Sequence, residues 1–347
     1  MTGGTRGPAP GRPISRRGFI TISAVSALAV GLGGALTRRL MATGELRQVE
    51  ETRLALGTYV RIVLGGPDAA LSQRAIAATF ARIEALESML SRYRQDSALS
   101  QLNASGIVRR PPADLLEVLR AARRVSDWTG GAFDVTVQPA IAFVERSMAR
   151  GGMPDREALQ VALRLVGDAG VIADDDCIVL ARDGMAITLD GIAKGFVVDA
   201  ALAVIERAGY AETLVSASGD MRGGVRPRGS SWRIGVQDPR RRPGSTIAVA
   251  RLTDRAIATS GDYLHAYTAD FTRHHILDPR SGDSPPELSS VSVMAPTACL
   301  ADGLSTGVMV MGRARGLELI ERLPGVECLL VTKTHEVIAS SGFPIVD

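Results

Sequence analysis

The sequence predicts an α+β fold, a layered α/β body. Several stretches repeat apolar residues at helical spacing, and Ala69–Leu90 is the longest of them. Many short β-like runs are bounded by Gly, Pro and Asp, as in Cys177–Leu180 and Trp232–Val236. The two kinds of segment are mixed without a strict βαβ alternation and without an internal repeat, which disfavours a doubly wound sheet. A chain of 347 residues can bury a sizeable core as one large domain or two lobes.

In chain order, Arg53–Leu64 reads as a strand pair or one long bent strand. Over Ala69–Leu90, residues Ile76, Phe80, Ile83 and Leu90 fall on one side of a helix. Pro111-Pro112 starts a second helix over Ala113–Thr129 and Gly130-Gly131 ends it. Gly130–Val137 reads as a C-cap followed by an extended segment that Pro139 closes. Arg156–Val166 is a short helix. Cys177–Leu180 and Ala186–Leu189 read as a hairpin around Arg182-Asp183-Gly184. Gly195–Ala208 is a helix ended by Gly209, followed by β-runs at Thr213–Ser216, Trp232–Val236, Ile247–Leu252, Ala256–Thr259 and Ser290–Met294. A helix carrying Asp302 comes next, then one over Ala314–Arg322, and Glu327–Thr332 with Val337–Ser340 close the chain.

Charge divides the chain into 1–45 and 46–347. Residues 1–44 hold six arginines and no acid, so the net +3 of the whole becomes −3 without them. Nucleic-acid binding loses its main support, and aromatics at 4% leave little for base stacking. Ser15-Arg16-Arg17-Gly18-Phe19-Ile20 before a modest apolar run is a twin-arginine signature, so 1–45 is expected to be an export signal or an N-terminal anchor and the protein periplasmic. The 3 Cys, Cys177, Cys299 and Cys328, sit in apolar contexts and form neither a disulfide framework nor a zinc site.

Asp302 and Thr306 stand four apart on a helix, so a carboxylate and a hydroxyl point at one spot. With carbonyls or waters they make a hard-oxygen site of the kind Mg²⁺ takes while gripping a phosphate. Thr188-Leu-Asp-Gly-Ile-Ala-Lys-Gly195 joins a strand to a helix N-terminus, where backbone N–H groups and Lys194 can face an anion. Ser218-Gly-Asp220 and Ser260-Gly-Asp-Tyr263 are Gly-containing turns; His275 and Asp278 are candidates for proton handling. With 4 His in all and no HExxH or CxxC, oxygen ligation is the metal chemistry available.

These motifs occur in one order with Leu56-Gly-Thr58, Ser91-Arg-Tyr93, Ser97, Leu102-Asn103, Gly131–Val137, Trp232–Pro239, Thr259–Tyr263, His275–Pro279 and Ala301–Thr306. The ordered set resembles the ApbE family, the FAD:protein FMN transferases, from about residue 50 to the C-terminus. The resemblance implies two lobes with an FAD site between them. It implies Mg²⁺, FAD as substrate, and transfer of the FMN moiety to a Thr hydroxyl of a target flavoprotein with release of AMP. Asp302, Thr306 and the Gly191 carbonyl match the family's metal ligands. Leu56 (usually Met), Tyr93, Ala132, Phe133, Asp134, Thr188, Asp190, Lys194 and Ile276 match flavin-site positions. His275 matches a position for the general base or for a contact to the reacting phosphate. The family commonly reads Asp-Leu-Gly/Ser-Gly/Ala-Ile-Ala-Lys-Gly; here Thr188 stands first and Asp190 comes two places later. That variant, with the leader, resembles the NosX-like branch, whose target would be a NosR-like or RnfG/NqrC-like membrane protein. The alternatives are an FAD pyrophosphatase, in which water replaces the Thr, and a non-catalytic flavin-binding assembly factor.

Overall fold

The computed structural model describes residues 19–21, 37–43, 46–226, 230–241 and 244–346, with side chains from residue 48 onward. Most of the leader, the arginine pair included, lies outside the described residues. Among the described residues no helix is long and apolar enough to cross a membrane.

A nine-stranded sheet runs Val337–Ala339, Glu327–Thr332, Leu288–Ala295, Arg255–Gly261, Asp220–Gly223, Thr213–Ala217, Thr58–Gly66, Leu46–Ala55, Thr37–Thr43, and every neighbouring pair is antiparallel. Its inner strands are apolar on both faces, because side chains alternate and both faces are covered. In Thr58–Gly66, Val60, Ile62 and Leu64 join the core under the helices, while Val63 joins a second core beneath a small sheet. Ala256 and Ala258 against Ile257, and Cys328 and Leu330 against Leu329 and Val331, divide in the same way. The small sheet is the hairpin Trp232–Gln237 with Thr246–Leu252, flanked by Phe19–Thr21. The chain is thus helices on one face of a sheet and a β-hairpin on the other, an α+β fold as the mixed pattern of elements predicts.

The helices start and stop on local chemistry. Asp68 caps Ala69–Leu90 by accepting from the N–H groups of Ala70 (2.7 Å) and Leu71 (3.1 Å). Ser97 caps Ala98–Ser105, a helix the sequence reading passes over, through Ser100 N–H at 2.9 Å. Gly130 ends Ala113–Thr129 at φ 59°, a left-handed position that suits glycine.

Two expectations fail. The extended segment after Gly130 is instead a 3-10 turn, Val135–Val137, running into a helix over Gln138–Ala149. Pro139 occupies the first turn of that helix, where its missing N–H costs nothing, so it opens the helix rather than closing a strand. The hairpin around Arg182–Gly184 is also absent. Cys177–Leu180 pairs with Ile107–Arg109 and Val171–Ala173, and Ala186–Leu189 forms no strand. The Asn103 amide takes the place of a neighbouring strand. It accepts from Ile187 N–H at 2.7 Å and donates to Ile187 C=O at 2.8 Å, while Thr188 N–H donates to Val135 C=O at 2.8 Å.

Candidate active site

The helix Ala298–Met311 carries the site, and three contacts fix its position. Thr297 caps it through Leu300 N–H at 3.3 Å. Asp199, on the neighbouring helix Ala193–Arg207, accepts from Ala298 and Cys299 N–H, both at 2.8 Å, and from the Arg222 guanidinium at 2.8 Å. Gly195 lets the two helices touch: a Cβ there would lie 2.1 Å from the Ala298 carbonyl oxygen. That approach brings Gly195 N–H within 3.0 Å of Asp302 Oδ2.

Asp302 is 3% exposed. Burial holds its carboxyl above the ordinary range, Asp220 adds to the rise, and Lys194 opposes it. Asp220, 1% exposed, makes an ion pair with Lys194 Nζ and also accepts from Thr259 N–H. Burial pushes the Asp220 carboxyl up, but the ammonium and the backbone donor favour its charged form. Burial would pull Lys194 down; Asp220 first, then Asp302 and Asp190, override this and hold it charged, above its ordinary value. The result is a cation kept in place by a buried carboxylate, beside a second carboxylate that lacks a full complement of donors.

The sheet topology brings these groups to one end. Val60 pairs with Ala217 and Ile257 with Met221, so the two-residue turns Leu56-Gly57 and Ser218-Gly219 and the exit of Arg255–Gly261 lie side by side. Leu56 (φ 56°) and Ser218 (φ 46°) both adopt left-handed backbone, strained for a side-chain-bearing residue. Ser260 Oγ lies 2.8 Å from Ser305 Oγ and 3.1 Å from Thr306 Oγ1. Gly191 seats its loop directly on Thr306: a Cβ there would stand 3.0 Å from Thr306 Oγ1 and 3.3 Å from the Phe133 ring.

Asp302, Thr306 and Gly191 therefore share one small volume. Among the described residues no group of three or more His, Cys, Asp or Glu could hold a metal. What remains is one carboxylate, one hydroxyl and backbone carbonyls, a sparse hard-oxygen set. Such a set suits a cation that keeps waters and shares phosphate oxygens, as Mg²⁺ does, and it fits because buried Asp302 lacks a full countercharge.

The other expected residues stand at differing depth and with differing partners. Tyr93 is 74% exposed, and its hydroxyl donates to Asp190 Oδ2 at 3.3 Å. Asp190 also accepts from Arg92 Nε at 2.6 Å, and Thr188 Oγ1 accepts from Asp190 N–H at 3.2 Å. Ala132, Phe133 and Ile276 are buried. Asp134 is fully engaged by the protein: it accepts from Thr136 N–H (2.8 Å), Thr136 Oγ1 (2.5 Å) and Asp168 N–H (3.1 Å). His275 Nδ1 is buried and unpartnered. Burial first, then His265 and His274, lower its pKa to about 3, so the imidazole is neutral. Asp278 is tied into its own turn by the Arg280 N–H (3.0 Å) and guanidinium (2.8 Å). Of the two expected proton acceptors, His275 is the one with a free nitrogen. Sequence reasoning gave no role to Asp199, Asp220, Ser260, Arg92 or Asn103. Four of these lie in or beside the ordered motifs, but Asp199 carries no such signal, because the helix start it caps is about a hundred residues away.

A helix-backed antiparallel sheet thus gathers a paired lysine, a buried carboxylate and a hydroxyl at one end. The ApbE family model matches residues 56–330, and the chain belongs to the ApbE family. It is 30% identical over 319 residues to the FAD:protein FMN transferase of Treponema pallidum (strain Nichols), covering 86% of this chain and 88% of that protein. It is 30% identical over 299 residues to the Salmonella typhimurium enzyme of the same name (81% and 83%). The flavin transferase ApbE from Vibrio cholerae superposes with a TM-score of 0.75 at 28% identity, over 85% of this chain and 98% of that one. The apo Pseudomonas stutzeri flavinyl transferase ApbE gives 0.73 at 26% identity, over 87% and 98%.

Proposed function

We propose that the chain is an FAD:protein FMN transferase that uses Mg²⁺ and esterifies a Thr hydroxyl of a target flavoprotein. The observation that carries the reading is the buried Asp302–Thr306 face opposite Gly191, with Lys194 held charged beside it by Asp220. Mg²⁺ bound by Asp302, Thr306 and the Gly191 carbonyl would neutralise charge on the pyrophosphate of FAD. Lys194 supplies a second, fixed positive charge to the same anion. The acceptor oxygen forms a bond to the FMN-side phosphorus, the bond from that phosphorus to the AMP oxygen breaks, and the hydroxyl proton passes to a base. His275 suits that base because its neutral ring keeps a free nitrogen. Its depressed pKa makes it a weak base in the free protein, and a bound dinucleotide anion would raise it.

The export signature supports a periplasmic reaction, and the resemblance points to a NosR-like or RnfG/NqrC-like membrane protein as the class of target. The test incubates the protein with FAD and Mg²⁺, with and without a target domain, and measures AMP and protein-bound flavin together. Bound flavin with matching AMP supports transfer. AMP and FMN without bound flavin would make the protein a pyrophosphatase, and bound FAD with no AMP a carrier. Asp302→Ala should abolish transfer; full flavinylation by that variant in excess Mg²⁺ would sink the metal assignment.

A further inference from the structure

Arg92 is more enclosed than either of its acidic partners. Its side chain is 13% exposed, against 47% for Asp190 and 40% for Glu145. The guanidinium donates through Nε to Asp190 Oδ2 (2.6 Å), and through Nη2 to the Tyr93 hydroxyl (2.7 Å) and Glu145 Oε1 (3.3 Å). Its carbon lies 4.4 Å from the Tyr93 ring centroid. A lone surface ion pair contributes little, but a planar fork shared among a carboxylate, a phenol and its ring is a geometric constraint.

The contacts form a continuous path. Arg92 covers one face of Tyr93, a ring whose overall exposure of 74% leaves area for a planar ligand. The same guanidinium and the Tyr93 hydroxyl hold Asp190, and the next residue, Gly191, rests on Thr306. We infer that Arg92 is a positioning residue that locks the Tyr93 ring and the Asp190–Gly191 loop into one preformed wall of the dinucleotide site. This rests on the flavin-transferase reading and adds a job for Asp190: its carboxylate serves the protein's own guanidinium. An aromatic platform already fixed in place loses less freedom when a planar ring stacks on it.

The test is a double-mutant cycle read by FAD affinity, from quenching of flavin fluorescence without target protein. Arg92→Ala and Asp190→Ala should each weaken FAD binding about tenfold, and the double variant should be no weaker than about tenfold, because one clamp is lost only once. Arg92→Lys keeps the charge but lacks the fork and the plane, so it should stay impaired. Turnover at saturating FAD should change far less than affinity, a separation that general loosening of the fold would not produce. Wild-type affinity in either alanine variant, or losses that multiply to about a hundredfold, would overturn the clamp. Should Arg92→Ala fail to fold, Arg92→Lys and Asp190→Asn carry the same comparison. A wild-type protein that binds no FAD would instead remove the flavin-transferase reading beneath it.

Discussion

Replacing Gly195 with alanine is a direct test of how the site is held. The added Cβ would sit 2.1 Å from the Ala298 carbonyl oxygen, 2.5 Å from its carbon and 2.8 Å from Cys299 nitrogen, all of them backbone atoms that cannot rotate away. Relieving the first contact even to 3.0 Å requires the helices Ala193–Arg207 and Ala298–Met311 to part by about 0.9 Å. That movement stretches the 3.0 Å bond from Gly195 N–H to Asp302 and carries Asp302 and Thr306 away from Gly191. Overpacking of this kind costs roughly 1–3 kcal/mol of stability. A misplacement near 1 Å costs roughly a hundredfold in rate, so AMP release should fall by about two orders of magnitude while the protein remains folded at room temperature. Gly152→Ala is the matched control, since its nearest neighbour, the Ser147 carbonyl oxygen, lies 4.0 Å from the added atom. Paired urea melts and AMP assays on both variants measure this. If Gly195→Ala turns over like the wild type, the close helix approach does not position Asp302 and Thr306.

Three further outcomes follow from the same geometry. Asp220→Asn leaves the Lys194 ammonium beside a neutral amide; about 3 kcal/mol of stability should be lost, and FAD-dependent AMP release should drop steeply, with unchanged midpoint and turnover refuting the pair's importance. Asn103→Ala strips both hydrogen bonds from the Ile187 backbone and should cost about 2–4 kcal/mol in urea unfolding, since two polar groups lose their partner. Burial, helped by the Lys333 charge, lowers the His274 pKa from 6.5 to about 4. The unfolded chain therefore takes up a proton that the folded one refuses: stability is full above pH 6.5, declines as pH falls and levels near pH 4, a loss of about 3 kcal/mol. A His274→Asn variant should show a correspondingly flatter stability profile between pH 7 and pH 4.

Segments with strong local signals were legible in the sequence. Ala69–Leu90 and Ala113–Thr129 occur with the expected bounds: an apolar stripe behind the Asp68 cap marks the first, and an apolar stripe between Pro112 and the Gly130 stop marks the second. Asp302 and Thr306 do share a helix, and Lys194 does follow a turn at a helix start. Where local cues are ambiguous, distant partners decide. Ala186–Leu189 has a strand's composition, but the Asn103 side chain, not another strand, satisfies its backbone. Pro139 looks like a stop until its place in a first helical turn is seen. Asp220 pairs with Lys194, 26 positions earlier, and Asp199 caps a helix about a hundred residues later; neither link has a periodicity to betray it.

The order of strands also divides the molecule by history of synthesis. The strands from Thr37 to Gly223 fill one half of the large sheet and those from Arg255 to Ala339 the other; within the sheet they meet where Asp220–Gly223 pairs with Arg255–Gly261 over three registered residue pairs, and above it the helices Ala193–Arg207 and Ala298–Met311 pack together. Gly191, Lys194 and Asp220 belong to the earlier half, and Ser260, Asp302 and Thr306 to the later. Neither half contains a complete site. The proposed site is therefore a product of their union, absent from any nascent chain shorter than about 306 residues and dismantled by whatever parts the two halves.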